Sequence, residues 1–144
     1  MIFRDLAANL EAKLHKGKVI VLIGPRQVGK TTLINSILKD KEYLFLDGDD
    51  NTVAETLANA NTEILKSIIG NYKYIFIDEV QRIPNIGLKL KIIVDQIKDV
   101  QVIVSESSSL DINNATQEPL TGRKFEFHMF PISWKEFENS VGYI

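Results

Sequence analysis

The chain has 144 residues, 44% hydrophobic and 25% charged, with a formal net charge of −2 and no cysteine. That length suits one domain able to bury a core unaided, and the balance excludes a disordered tail or a chain made of membrane spans. The missing cysteines exclude disulfides, thiolate zinc sites and cysteine nucleophiles, and the charge lacks the basic excess of a dedicated nucleic-acid binder.

Residues 1–14, MIFRDLAANLEAKL, set an acid and polar groups where an export signal needs an unbroken apolar run, so the cytoplasm is the expected compartment. Leu6, Leu10 and Leu14 recur every fourth residue before Gly17, which predicts an amphipathic N-terminal helix over 1–17. KVIVLIG, residues 18–24, is a β-branched run of the kind buried on both faces of a sheet. A helix should follow from Thr31, with Leu33, Ile34, Ile37 and Leu38 on one face.

YLFLD, residues 43–47, reads as a second strand, and residues 52–70 as a helix broken near Asn61, where asparagine can cap a second segment, and stopped by Gly70. KYIFIDEV, residues 73–80, gives a third strand ending in two acids. A helix with Pro84 near its start and Ile86, Leu90, Ile93 and Ile97 on one stripe comes next. Residues 100–105 and 124–130 supply a fourth and a fifth strand. Strands alternating with helices imply right-handed βαβ units, hence an α/β fold with a parallel sheet covered on both faces. Near the end, Ser133 and Glu136 form an S-x-x-E capping box, so a helix over 133–144 is expected to lead into further chain.

Chemistry enters at Gly24-Pro25-Arg26-Gln27-Val28-Gly29-Lys30-Thr31, followed by Thr32. The run fits G-x-x-x-x-G-K-[ST] between a strand and a helix, the context in which that spacing cradles phosphates. The glycines let successive N–H groups face one anion, while the helix offers its positive end. Lys30 should reach the β- and γ-phosphates, and Thr31 should set its hydroxyl on Mg²⁺. Asp78 ends a buried strand, where a carboxylate is expensive unless it meets a cation; magnesium would supply one. Glu79 stands next, placed to polarise an attacking water. Asp47, Asp49 and Asp50 cluster after the second strand, explained as well by helix capping as by a metal. His15 and His128 are isolated.

Taken in order, GPRQVGKTTL, FIDEVQRIP, SSSLDI, EPLTGR and FPISWKEF resemble the ATPase domain of a prokaryotic AAA+-like group of P-loop ATPases. The resemblance covers the chain from about Lys18 onward and implies a P-loop NTPase three-layer sandwich with a five-stranded sheet in the order 5-1-4-3-2. It implies a catalytic domain over 18–132, usually followed by a C-terminal domain of unknown function. In such a sheet a polar residue at the tip of the fourth strand senses the γ-phosphate, here Ser105 or Ser107. The group usually has a glycine where this chain has Glu106, and a glutamate there would resist positive φ and bring negative charge toward the triphosphate. Arg123 matches the arginine after the polar stretch and would neutralise transition-state charge in cis or across a subunit interface.

Lys30, Glu79 and Arg123 are thus the catalytic candidates, Thr31 and Asp78 the metal pair, and residues 24–32 with Ser105 the nucleotide contacts. The expected function is Mg²⁺-dependent ATP hydrolysis coupled to a protein partner or effector domain, with an oligomer left open. The other reading is a nucleotide-dependent switch with little hydrolysis. Neither a membrane nor, from the net charge, nucleic acid is supported as a partner.

Overall fold

The computed structural model describes residues 2–107 and 119–130. The helix signalled by Ser133 and the serines from Ser108 onward lie outside the described residues. In chain order the elements are α1 (Ile2–Glu11), β1 (Val19–Gly24), α2 (Lys30–Leu38), β2 (Tyr43–Asp47), α3 (Asn51–Ala58) and α4 (Thr62–Ile69). Then come β3 (Tyr74–Asp78), a 3-10 turn (Val80–Arg82), α5 (Ile86–Gln96), β4 (Gln101–Ser107) and β5 (Lys124–His128).

All four strand pairings are parallel, and the sheet runs β2-β3-β4-β1-β5, the expected 5-1-4-3-2 read from the other edge. β1 is buried along its whole length, and its period-2 alternation feeds two separate cores. Val19, Val21 and Ile23 join Ile75, Ile77, Val102 and Val104 in the core that also holds Leu57, Leu65 and Leu90 of α3, α4 and α5. Ile20 and Leu22 join Phe76 and Ile103 against Leu10 of α1 and Leu33, Ile34 and Leu38 of α2. Fully burying each aliphatic side chain is worth about 1.5–3 kcal/mol, so two such layers fix the strand ends above which the loops converge.

Side-chain caps account for the starts of α3 and α4. Asp50 caps α3 by accepting the Thr52 N–H at 2.9 Å, and Asn61 caps α4 by accepting that of Ile64 at 2.8 Å. Of the aspartates after β2, Asp50 is therefore a helix cap, whereas Asp47 accepts the N–H of Asp49. The helix after Pro84 begins only at Ile86, since Asn85 adopts a left-handed conformation at its N-cap.

β4 runs two residues beyond the expected strand end at Ser105. Ser105, Glu106 and Ser107 stay in the sheet because Leu22, Ile23 and Gly24 of β1 pair with them. Glu106 therefore lies in extended strand and not in a glycine-type turn, and it is absent from the residues with positive φ. It is buried, on the sheet face shared with Val102 and Val104 and opposite Ser105 and Ser107.

Candidate functional site

The loop after β1 closes through backbone conformation. Gln27 (φ 63°) and Gly29 (φ 101°) are both left-handed, which turns successive N–H groups inward ahead of α2. Val28 packs into the α1–α2 core and pins the loop from behind. Gly24 has no room for a side chain, since a Cβ there would stand 2.6 Å from the Met129 carbonyl oxygen.

Lys30, the first residue of α2, is 5% exposed. Its ammonium donates to the carbonyls of Gly24 (2.7 Å) and Pro25 (2.8 Å), so it spans the loop it belongs to. Burial holds its pKa below the ordinary lysine value, against the opposing pull of Glu79 and then Asp78. An anion in the cradle would relieve that desolvation by pairing with the charged form.

Thr31 donates its hydroxyl to the Asp78 carboxylate at 3.2–3.3 Å, joining the helix start to the end of β3. These are hard oxygen donors of the kind Mg²⁺ takes, and Mg²⁺ commonly keeps waters and substrate phosphates for its other positions. Among the described residues no three acidic or histidine side chains gather as a full protein cage for a metal. Such a cation would therefore need oxygens from a ligand as well.

Glu79 is the residue on which most elements converge. Its backbone is left-handed (φ 54°, ψ 51°), a conformation that costs a non-glycine residue on the order of 1–3 kcal/mol and turns the side chain back over the strand end. The carboxylate accepts from the Ser107 hydroxyl (2.8 Å), from Gln81 Nε2 (3.0 Å) and from Arg26 of the loop (3.1 Å). Arg26 also reaches Asp49 at 3.9 Å, and Asp49 pairs with Arg82 at 3.4 Å.

Ser105 lies behind these groups. It is fully buried, its hydroxyl donates to Asp78 and accepts the Glu79 N–H at 2.9 Å, and it does not border the cavity in front of the loop. The serine of β4 that reaches the Glu79 carboxylate is Ser107. The resemblance leaves the two serines open as candidates; their depth along β4 separates them.

Arg26, Gln27, Gly29, Lys30, Thr31 and Thr32 line a cavity of about 410 Å³ with Asp49, Asp78 and Glu79. A larger, open cleft of about 910 Å³ lies at the start of β2 and β3, lined by Lys41, Tyr43, Tyr72, Lys73 and Tyr74. Size points to the second and chemistry to the first, where a helix N-terminus, a buried lysine and two strand-end acids meet.

Arg123 stands elsewhere. It immediately precedes β5, whose first residue pairs with Val19, so it sits at the opposite end of the sheet from the loop. One strand length separates those ends, about 17 Å at ~3.3 Å per residue. Its guanidinium binds Asp95 at 2.9 Å, an exposed pair that lowers the aspartate pKa and raises that of the arginine. In this geometry Arg123 does not reach the cavity of its own chain. Gln81 and Gly48, both tied to the acids, escaped the sequence because their partners come from separate strands.

Comparison with known proteins matches residues 16–138 to a family model described as an AAA domain. Uncharacterised proteins of Mycobacterium bovis and Mycobacterium tuberculosis are each 35% identical over 121 residues, covering 83% of this chain and 26% of those proteins. The chain thus spans about a quarter of the length of these relatives. The Thermotoga maritima RuvB Holliday junction branch migration motor superposes with a TM-score of 0.60 at 21% identity, over 94% of this chain and 46% of that one. PCH-2 of C. elegans gives 0.54 at 17% identity, over 98% and 44%. At such identities the structural likeness speaks for the fold, and it agrees with the sheet order and the loop between β1 and α2. With the family model spanning most of the chain, the protein belongs to the AAA domain family of AAA+-like P-loop ATPases.

Proposed function

We propose that this chain is the motor module of a longer protein, binding ATP with Mg²⁺ at residues 24–32 and hydrolysing it to drive a partner or effector domain. The observation that carries this reading is the meeting of Lys30, Thr31, Asp78 and Glu79 at one cavity. Lys30 would exchange its two loop carbonyls for phosphate oxygens, and the inward N–H groups would hold the remaining charge. Thr31 and Asp78 would hold the cation, which neutralises charge on the leaving phosphates. Glu79 would orient a water and take its proton.

The first test is phosphate release by the full-length protein with and without Mg²⁺, beside a Lys30→Ala variant. Replacing a charge-assisted hydrogen-bonding group costs roughly 1.5–3 kcal/mol, so ATP affinity should fall about 10- to 150-fold. An unchanged affinity would remove Lys30 from the binding site.

Arg123 enters this reading only from a second subunit, beside whose phosphates it would place positive charge. Arg123→Ala should then be inactive yet bind ATP normally. Mixing it with the Lys30→Ala protein, which retains its arginine, should restore activity at mixed interfaces. If the mixture stays as inactive as its components, the arginine has no such role.

The Arg26–Glu79 ion pair favours a second reading, a nucleotide-dependent switch in which the acid is held back and hydrolysis is slow. The cytoplasm, where ATP is plentiful, is the compartment either reading implies. No helix among the described residues is long and apolar enough to cross a membrane.

A further inference from the structure

Glu79 is held from two directions by groups of different kind. Arg26 reaches it from the phosphate loop with a full charge and a half-exposed side chain. Gln81 and Ser107 reach it from the strand ends as neutral donors. At 3.1 Å the permanent cation of Arg26 holds the carboxylate toward the phosphate loop, a grip that competes with its facing a water. Arg26 also belongs to the loop where phosphates would compete for it. Gln81 lies outside the loop and does not line the cavity, so it can direct the carboxylate with a neutral donor that phosphates do not contest.

Gln81 is built for that task. Its Nε2 donates to Glu79 Oε2 at 3.0 Å, while its Oε1 accepts the backbone N–H of Ser107 at 3.1 Å. Only this orientation of the amide satisfies both ends, because the reverse would face oxygen to carboxylate and NH₂ to N–H. Its backbone is clamped in the 3-10 turn between the fully buried Val80 and Ile83, which is 2% exposed. One side chain thereby joins Glu79 to the tip of β4, and the Ser107 hydroxyl closes the ring at 2.8 Å.

We propose that Gln81 is a positioning residue: it fixes the Glu79 carboxylate against the tip of β4, so that Glu79 keeps its aim when phosphates draw Arg26 away. The inference rests on the ATPase reading above and adds to it the group that orients the water activator. It predicts that Gln81 acts on turnover and not on nucleotide binding. In the variants kcat should therefore fall while KM and ATP affinity hold, a split that looser packing of the whole site would not produce.

The experiment compares Gln81→Leu and Gln81→Met, both close to glutamine in size and neither able to donate, with Glu79→Gln in the full-length protein. Loss of aim at a reacting group costs up to ~10²-fold, so kcat should fall by about 10- to 100-fold. ATP affinity should stay within about twofold, a spread small beside the tenfold change that 1.4 kcal/mol makes. Parent turnover in both variants would overturn the inference. So would failure of both to bind ATP, which would make the glutamine part of the scaffold. If Glu79→Gln turns over at the parent rate, the ATPase assignment of Glu79 fails. If Glu79→Gln is inactive while both Gln81 variants behave as the parent, only the role of Gln81 fails.

Discussion

Glu79→Gln is expected to bind ATP with near-parent affinity and to lose turnover by roughly 10²–10⁴-fold, the usual contribution of a positioned acid or base. The two side chains have the same length and shape, so the left-handed backbone and the Ser105 hydroxyl on the residue 79 N–H should survive the change. The amide oxygen can still accept from Ser107, but the amide has no carboxylate to take a proton and no charge for Arg26. Binding rests on other groups, chiefly Lys30 and the loop N–H donors, which the substitution does not touch. Release of Arg26 would leave it free to meet phosphate, so affinity should hold or rise slightly. Equilibrium binding and single-turnover phosphate release together separate these terms. A variant that hydrolyses ATP at the parent rate would show that the acid beside Asp78 is not the water activator.

The same residue shows what a linear sequence can and cannot carry. Lys30, Thr31, Asp78 and Glu79 were legible because each stands at a strand end or helix start, and apolar periodicity locates such ends well. β1 and β3 announce themselves through apolar runs rich in β-branched and aromatic residues. The expected fourth strand stops at Ser105 because its next two residues, Glu106 and Ser107, are polar and carry no apolar signal. They remain strand through pairing with β1, a neighbour in space and not in sequence. That difference of two residues moves Glu106 from a supposed turn into extended backbone. It also sets Ser105 behind the acids and Ser107 beside Glu79. The order of strands came from a resemblance, since periodicity says which segments are strands but not which of them touch. Arg123 shows the complementary limit: a residue matched by motif stands at the far end of the sheet, and only the parallel register with Val19 makes this visible.

Gly48→Ala should harm the site more than its chemistry suggests. Gly48 follows β2 and donates its N–H to the carbonyl of Asp78 at 2.8 Å, so the exit of one strand lies directly on the end of the next. A Cβ at this position would stand 2.6 Å from the Asp78 carbonyl oxygen and 2.9 Å from the Glu79 carbonyl carbon. Those are backbone atoms with no flexible end to swing aside, so either β2 lifts away or both acids shift. Overpacking of this kind costs typically ~1–3 kcal/mol, which for a domain of this size corresponds to a drop in Tm on the order of 5–10 °C. Turnover should fall further than the stability loss explains, since a shift near 1 Å at reacting groups can cost about 10²-fold. Gly17→Ala provides the comparison, because Gly17 has φ 77° and open space around it. There an added methyl group meets only the left-handed backbone penalty, about 1–2 kcal/mol, remote from the acids. The two variants should therefore melt at comparably reduced temperatures and differ sharply in kcat. Equal kcat values would show that the contact between the β2 exit and the end of β3 does not set the position of Asp78 and Glu79.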